Sequence, residues 1–317
     1  MQVYAPYLIN LLDYAAYQQV ESSVLKDVLT HHDIDIDNLD EMVSAEGYLD
    51  VFARIIQKTE NDYTGLYFGT YQNMGALGLV KEISLHTSSI EQGVLILQNF
   101  LDSKFPIVSV KPSQDSNSYS LHLYSSIENA MLKRHILDMV TGIVYRELKL
   151  MLPPVFNPKI VLPYSNDKPY NNALETTVTK HQEYQLVLPI DVINAEINQN
   201  KIKEIELLLP KYIAMLSESQ YDSKEFSSQI WKMTLNMCAP EIPNFEQVQK
   251  QFPYSKRTIQ RKLMSEGRSF RTIANAIKKE LSNYLLNEKH LKTMDVAHIL
   301  GYSESSAYLH AVKSWRR

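Results

Sequence analysis

One cysteine in 317 residues leaves Cys238 with nothing to pair with, so the chain holds no internal disulfide and no cysteine-built zinc cage. Its expected place is inside a core, as a small apolar residue. Glycine is also scarce: 9 residues against an average usage of about 7%. That weighs against folds needing several phosphate-cradling loops, and neither a P-loop nor a Gly-x-Gly-x-x-Gly fingerprint occurs. No run approaches the roughly 20 apolar residues that span a bilayer. The start, Met1-Gln2-Val3-Tyr4-Ala5-Pro6, has no basic region ahead of an apolar core. A soluble cytoplasmic protein with no membrane partner is expected. Catalytic signatures are missing too. There is no Gly-x-Ser-x-Gly elbow, and the nine histidines show no His-Glu-x-x-His spacing. Neither an enzyme nor a bound cofactor is expected.

What is present is enough apolar content, 44%, for ordinary cores, over a length that suits about two domains. The net charge of −4 is unevenly shared: residues 244–317 carry +8 and the remainder −12. An acidic body with a basic end is thus expected, and the basic end is of the kind that neutralises phosphates and releases counterions.

Along the acidic part, residues 7–28 read as a helix with Leu8, Leu11, Leu12, Ala15 and Ala16 on one face. Asp33-Ile34-Asp35-Ile36-Asp37 has the alternating carboxylates of a calcium loop. It fails that test, because Asn38 stands where glycine is needed and Ser44 where a bidentate glutamate is needed. A solvated loop is expected there, including His31-His32, and no metal. A helix follows at 46–59. Short alternating runs at 107–110 and 119–124, separated by a turn-rich insert at 112–118, predict a β-hairpin. Residues 132–150 return to helical spacing and stop at Pro153-Pro154, and 159–163 and 184–188 read as further strands. From 201 to 217, Ile202, Ile205, Leu208, Leu209, Ile213 and Leu216 make an apolar stripe, with Pro210 expected to kink or divide the helix. Linking domains, pairing subunits and packing on its own domain are all open to this stripe. Among the 20 tyrosines, Tyr63, Tyr67, Tyr71 and Tyr119 read as core residues rather than pocket walls.

The basic part contains a repeat. Val248-Gln249-Lys250-Gln251-Phe252-Pro253-Tyr254-Ser255 returns 48 residues later as Val296-Ala297-His298-Ile299-Leu300-Gly301-Tyr302-Ser303. Each copy reads as a short helix, a turn holding Pro or Gly, and a serine opening a second helix, the grammar of a helix-turn-helix. In the first copy Ser255 is the expected N-cap. Ile259, Leu263 and Met264 are expected to face inward and Arg257, Gln260 and Arg261 outward. Arginine can donate two hydrogen bonds to guanine, and glutamine can donate and accept at adenine. Lys256, Thr258 and Lys262 suit phosphates, which set register without reading sequence. In the second copy the helix is expected to open at Ser303. Ala307, Tyr308 and Val312 would face the core, and Ser305, Ser306, Leu309 and His310 the groove. That surface is weaker, with no bidentate reader.

The stretch Ser255-Lys256-Arg257-Thr258-Ile259-Gln260-Arg261-Lys262-Leu263, then Glu266-Gly267-Arg268-Ser269-Phe270, then residues 296–308, resembles the C-terminal domain of the AraC/XylS family of bacterial transcription regulators. The resemblance implies two helix-turn-helix units joined by a long helix, here residues 270–286, set in successive major grooves. More loosely, Gly75-Ala76-Leu77-Gly78-Leu79 and Thr87-Ser88-Ser89-Ile90-Glu91-Gln92-Gly93 resemble the α+β regulatory domain of a subset of that family. This implies sensing of a small-molecule effector or dimerisation. The implied partners are promoter DNA, the effector, a second copy of the chain and RNA polymerase. The expected architecture is an α+β regulatory domain at 1–200, a helical linker at 201–222, and an all-α DNA-binding domain with two helix-turn-helix units at 223–317.

Departures from the family pattern qualify this. Pro253 stands where glycine is common, His310 where arginine is frequent and Val312 where phenylalanine is usual. The sequence stops at Trp315-Arg316-Arg317, where relatives continue through a terminal turn. The first unit is therefore expected to dominate affinity and sequence reading. The competing reading is a protein-interaction module derived from such a regulator, with DNA binding weakened or lost.

Overall fold

A computed structural model of the chain describes residues 1–164, 168–218 and 225–315. The chain is a mixed α+β protein that divides into two compact units. One is Met1–Asn198 with Gln251–Pro253, and the other is Gln199–Lys250 with Tyr254–Arg317. The end of the expected linker (219–222), the start of the expected DNA-binding domain (223–224) and Arg316-Arg317 lie outside the described residues.

The first unit opens with β1 (Gln2–Tyr4), α1 (Ala5–Tyr17), α2 (Ser22–His31), β2 (Met42–Ser44), α3 (Ala45–Thr59), α4 (Thr64–Tyr71), α5 (Asn73–His86) and α6 (Ile90–Lys104). β1 and β2 pair antiparallel. The single helix expected over 7–28 is two. Gln19 adopts a left-handed φ of 59° and the Val20 N–H closes onto the Ala15 carbonyl at 3.0 Å, a Schellman-type stop. Apolar spacing hid the break, because Ala15 and Leu25 are buried on either side of it. The Asp-rich loop is a short 3-10 turn capped by Asp35, which accepts the Asp37 N–H at 3.1 Å. His32 Nε2 meets Asp50 at 2.8 Å. Among the described residues no three His, Cys, Asp or Glu side chains gather as metal ligands.

β3 (Val108–Gln114), β4 (Ser118–Ser125), α7 (Ala130–Met151), β5 (Lys159–Leu162), α8 (Lys168–Leu174), β6 (Val178–Lys180) and β7 (Tyr184–Pro189) complete this unit. The sheet order is β3-β4-β7-β5-β6, antiparallel except for the β5–β6 pair. The hairpin forms, but its strands run further than expected. Pro112 pairs with Leu121 on the edge strand β3, where a missing N–H is tolerated. The turn shrinks to the residues around Asp115, whose carboxylate accepts the Asn117 and Ser118 N–H groups at 2.7 and 2.8 Å.

The 22-residue α7 is the spine of the unit. α4 lies against it backbone to backbone through Gly65 and Gly69: a Cβ at Gly69 would stand 2.6 Å from the Met139 carbonyl oxygen, and one at Gly65 would collide with that of His135. α7 is tied to the sheet by buried Asp138, which accepts hydrogen bonds from the hydroxyls of Tyr164, Tyr170 (2.7 Å) and Tyr184 (3.1 Å). Burial raises its pKa to about 6, against the pull of those hydroxyls. Tyr71 and Tyr119 are core residues as expected, while Tyr63 and Tyr67 are half-buried.

The second unit is helical: α9 (Gln199–Ser217), α10 (Phe226–Asn236), α11 (Phe245–Gln249), α12 (Lys256–Ser265), α13 (Phe270–Asn287), α14 (Thr293–Ile299) and α15 (Ser305–Trp315). α13 buries Ile273, Ile277, Leu281 and Leu285, four residues apart, and packs against α9, α10, α14 and α15. α9 runs through Pro210 undivided. Its buried stripe continues from Leu209 to Tyr212 and Met215, whereas Ile213 is exposed and Leu216 half-exposed, a correction to the expected face. The Tyr212 hydroxyl donates to the Pro240 carbonyl at 2.5 Å. Cys238 is buried. No helix among the described residues is long and apolar enough to cross a membrane.

Candidate nucleic-acid interface

The residues singled out from sequence fall on two helix pairs of the second unit, α11 with α12 and α14 with α15. α11 starts with a capping box: Asn244 accepts the Gln247 N–H at 2.9 Å and Gln247 answers the Asn244 N–H at 2.8 Å. Ser255 caps α12 as expected, its hydroxyl accepting the Thr258 N–H at 3.2 Å, and the Thr258 hydroxyl lies 3.0 Å from it. Ile259 and Leu263 are buried and fix which way the helix faces. Arg257, Gln260 and Arg261 are consequently exposed together.

Met264 belongs with them, 74% exposed, contrary to the expected inward placement. The reason is helical phase: positions 257, 260, 261 and 264 follow one stripe, while 259 and 263 follow another. The two lysines assigned to phosphates are already engaged. Lys256 Nζ pairs with Glu246 at 3.0 Å. Lys262 is half-buried, with its ammonium 4.8 Å from the centre of the Tyr254 ring and 5.3 Å from that of Phe226.

The end of α12 carries a contact that local sequence did not announce. Gly267, at φ 67°, lets the Arg268 N–H reach the Leu263 carbonyl at 2.9 Å and closes the helix. Glu266 then turns to α10 and accepts the first-turn N–H groups of Phe226 and Ser227, each at 2.8 Å. Partial burial disfavours its charge, but these donors outweigh it and hold its carboxyl below the usual range. No spacing rule foretells a cap supplied from another helix. Arg268 and Arg271, exposed just past α12, extend its positive surface and were not among the expected contacts.

The second pair repeats the plan with other parts. Gly301 at φ 76° closes α14, the Tyr302 N–H reaching the Ala297 carbonyl at 2.9 Å. α15 opens at Ser305, two residues after Ser303, and Ser303 is exposed ahead of it. Tyr308 is the buried anchor, its hydroxyl 2.6 Å from that of Ser282 on α13 and its ring edge-on to Tyr302 at 5.6 Å. Ala307 is exposed and Val312 half-buried, so Tyr308 carries the inward contact that three residues were expected to share. Ser305, Ser306, Leu309 and His310 are exposed as expected, and the Ser306 hydroxyl donates to Glu304 at 3.0 Å. The α12 face thus presents two guanidiniums and an amide, and the α15 face presents hydroxyls, an imidazole and a leucine.

No protein-family model matches the chain. It is similar to the HTH-type transcriptional regulator VqsM of Pseudomonas aeruginosa, at 20% identity over 275 residues covering 82% of this chain and 83% of that protein. It is also similar to the uncharacterized HTH-type transcriptional regulator Rv1395 of Mycobacterium tuberculosis, at 34% identity over 74 residues, 23% of this chain and 22% of that one. Alignment to the crystal structure of the transcriptional regulator CdpR from Pseudomonas aeruginosa covers 92% of this chain and 94% of that one, at 17% identity and a TM-score of 0.39. The names of the two sequence relatives place them among bacterial transcription regulators.

Proposed function

We propose that the chain is a sequence-specific DNA-binding transcription regulator of the AraC/XylS type, in which α11–α12 and α14–α15 act as two helix-turn-helix units joined by α13. The observation that carries this reading is the exposed stripe of Arg257, Gln260 and Arg261 on α12, whose phase is locked by buried Ile259 and Leu263. With the N-terminal turns of α12 in a major groove, the two arginines read guanine edges and Gln260 an adenine. Thr258 and Ser255 lie beside the phosphates. Lys256 joins them by leaving Glu246, since an exposed ion pair is worth only about 0–1 kcal/mol. α15 follows in the next groove with Ser305, Ser306, Leu309 and His310, and Ser303 ahead of it, adding affinity more than base discrimination. The first unit responds to a small-molecule effector. A second copy of the chain and RNA polymerase are the protein partners that this role calls for.

The test is a footprint of the full chain on fragmented genomic DNA, followed by titration of the recovered site against random duplex at several salt concentrations. The reading requires a protected site whose affinity falls steeply with salt and exceeds that for random duplex. Equal affinity for both duplexes would sink it and favour a protein-docking role for the same helices.

A further inference from the structure

The first unit holds a partly open cavity of about 290 Å³ whose walls come from α1, α3, α5, α6 and α7 and from the end of β1. This lies at the lower limit of the roughly 300–1,000 Å³ usual for small-molecule sites, which points to a small ligand. Most of the lining is apolar. One wall is a chain of rings in edge-to-face contact: Tyr4 with Tyr7 at 6.0 Å, Tyr7 with Phe105 at 5.3 Å, and Phe105 with Tyr48 at 5.5 Å.

Glu147 of α7 projects into this lining. It is 2% exposed and its Oε2 has no hydrogen-bond partner. A buried carboxyl left so is costly unless something pairs with it. Burial alone holds its pKa up at about 8. The other carboxyl of the lining, Glu82, is exposed, and among the described residues no lysine, arginine or histidine lines the cavity. A carboxylate ligand would therefore find no cationic partner, whereas an ammonium would favour release of the carboxyl's proton to solvent and pair with the carboxylate beside the negative faces of the aromatic rings.

Gly75 and Gly78 of α5 also border the space, and, apart from their chain neighbours and the helix's own backbone, no atom lies within 4 Å of where a Cβ would stand at either. Each glycine inside a helix costs about 1 kcal/mol relative to alanine. Since neither is demanded by a close neighbour, what they contribute is room. Gly75, Gly78 and Leu79 of the glycine-bearing segment noted in the sequence thus form part of this wall.

We propose that this cavity binds a small apolar amine, its ammonium group on the Glu147 carboxylate and its hydrocarbon body against the ring wall and the aliphatic faces of α6 and α7. The proposal rests on the reading of the first unit as effector-responsive and names the ligand class. Calorimetry on the full chain compares hexylamine, 1-hexanol and hexanoate, which share a body and differ in head group. Hexylamine should bind roughly tenfold or more tighter than hexanol, the scale of one charge-assisted hydrogen bond, with hexanoate weakest.

Glu147→Gln should remove the preference for amine over alcohol, and Gly78→Leu, which fills the space while Glu147 is retained, should weaken both. Hexanoate binding as well as hexylamine, or an amine preference that survives Glu147→Gln, would overturn the proposal. The same samples are footprinted on DNA. A specific footprint without amine binding defeats the cavity proposal and leaves the regulator reading standing. Amine binding that leaves a specific footprint and its affinity unchanged supports the cavity and defeats effector response.

Discussion

The helix pairs α11–α12 and α14–α15 are built on one repeat and diverge most where they face outward. Inward, each places buried apolar residues at matching points, Val248 with Val296 in the first helix and Ile259 with Tyr308 in the second. Outward, α12 offers Arg257, Gln260 and Arg261, and α15 offers Ser305, Ser306, Leu309 and His310. Support also differs: α12 is tethered to α10 by a carboxylate on two backbone N–H groups, and α15 to α13 by the Tyr308–Ser282 hydroxyl pair and the Lys279 ammonium on the Trp315 carbonyl. Core positions and turns are constrained by packing, so a repeat preserves them. The exposed faces are free to specialise, and the two copies have done so unequally.

The largest effect that tests this inequality is on DNA. Arg257→Ala and Arg261→Ala should each weaken binding to the preferred duplex by about 5- to 150-fold, 1–3 kcal/mol, and relax preference at one or two bases. Leu309→Ala and His310→Ala should change it by less than about threefold, within the roughly 0.5 kcal/mol of ordinary surface substitutions. Equal losses from both helices, read by gel shift, would break the comparison.

Next comes Glu266→Gln, which removes a charged cap and should lower unfolding free energy by about 1–2 kcal/mol at neutral pH. Because the folded carboxyl is held below its ordinary 4.5, its stabilisation is present above that value and fades as pH falls through the lower folded value. Denaturant melts of wild type and variant should therefore converge below pH 4.5, and a constant gap would refute the charge assignment. Tyr308→Phe, which leaves the Ser282 hydroxyl without its partner, should cost about 1 kcal/mol with little pH dependence.

Smallest is Lys262→Met. Keeping the stem while losing the ammonium over two rings should cost about 0.5–1 kcal/mol of stability. Any loss of DNA affinity should be the same for preferred and random duplex. A selective loss on the preferred site would return Lys262 to the reading face.

Several elements are legible in the sequence because they rest on short-range rules. Ser255 caps α12, α13 spans nearly the expected residues, and the hairpin and the strands at 159–162 and 184–189 follow from alternation and branching. Local rules failed where two arrangements share one pattern. The spacing of apolar residues is the same whether 7–28 is one helix or two, and Gln19 in a left-handed turn decides it. Met264 and Ala307 were assigned inward because they are apolar, yet phase and neighbours leave them outside.

Charge distribution, the repeat and its turn residues belong to the chain as a string, because each depends on neighbours a few positions away or on composition alone. They carry the regulator reading. The rest came from folding, which joins residues distant in sequence: Glu266 across to α10, the three tyrosines onto Asp138, Gly65 and Gly69 against α7. Glu147 is the clearest case. In the string it is one more acidic residue of a helix; enclosed among rings from Tyr4, Tyr7, Tyr48 and Phe105, it becomes a desolvated carboxyl in need of a cation. Burial and partnership are properties of packing, and packing is decided by contacts that no local pattern records.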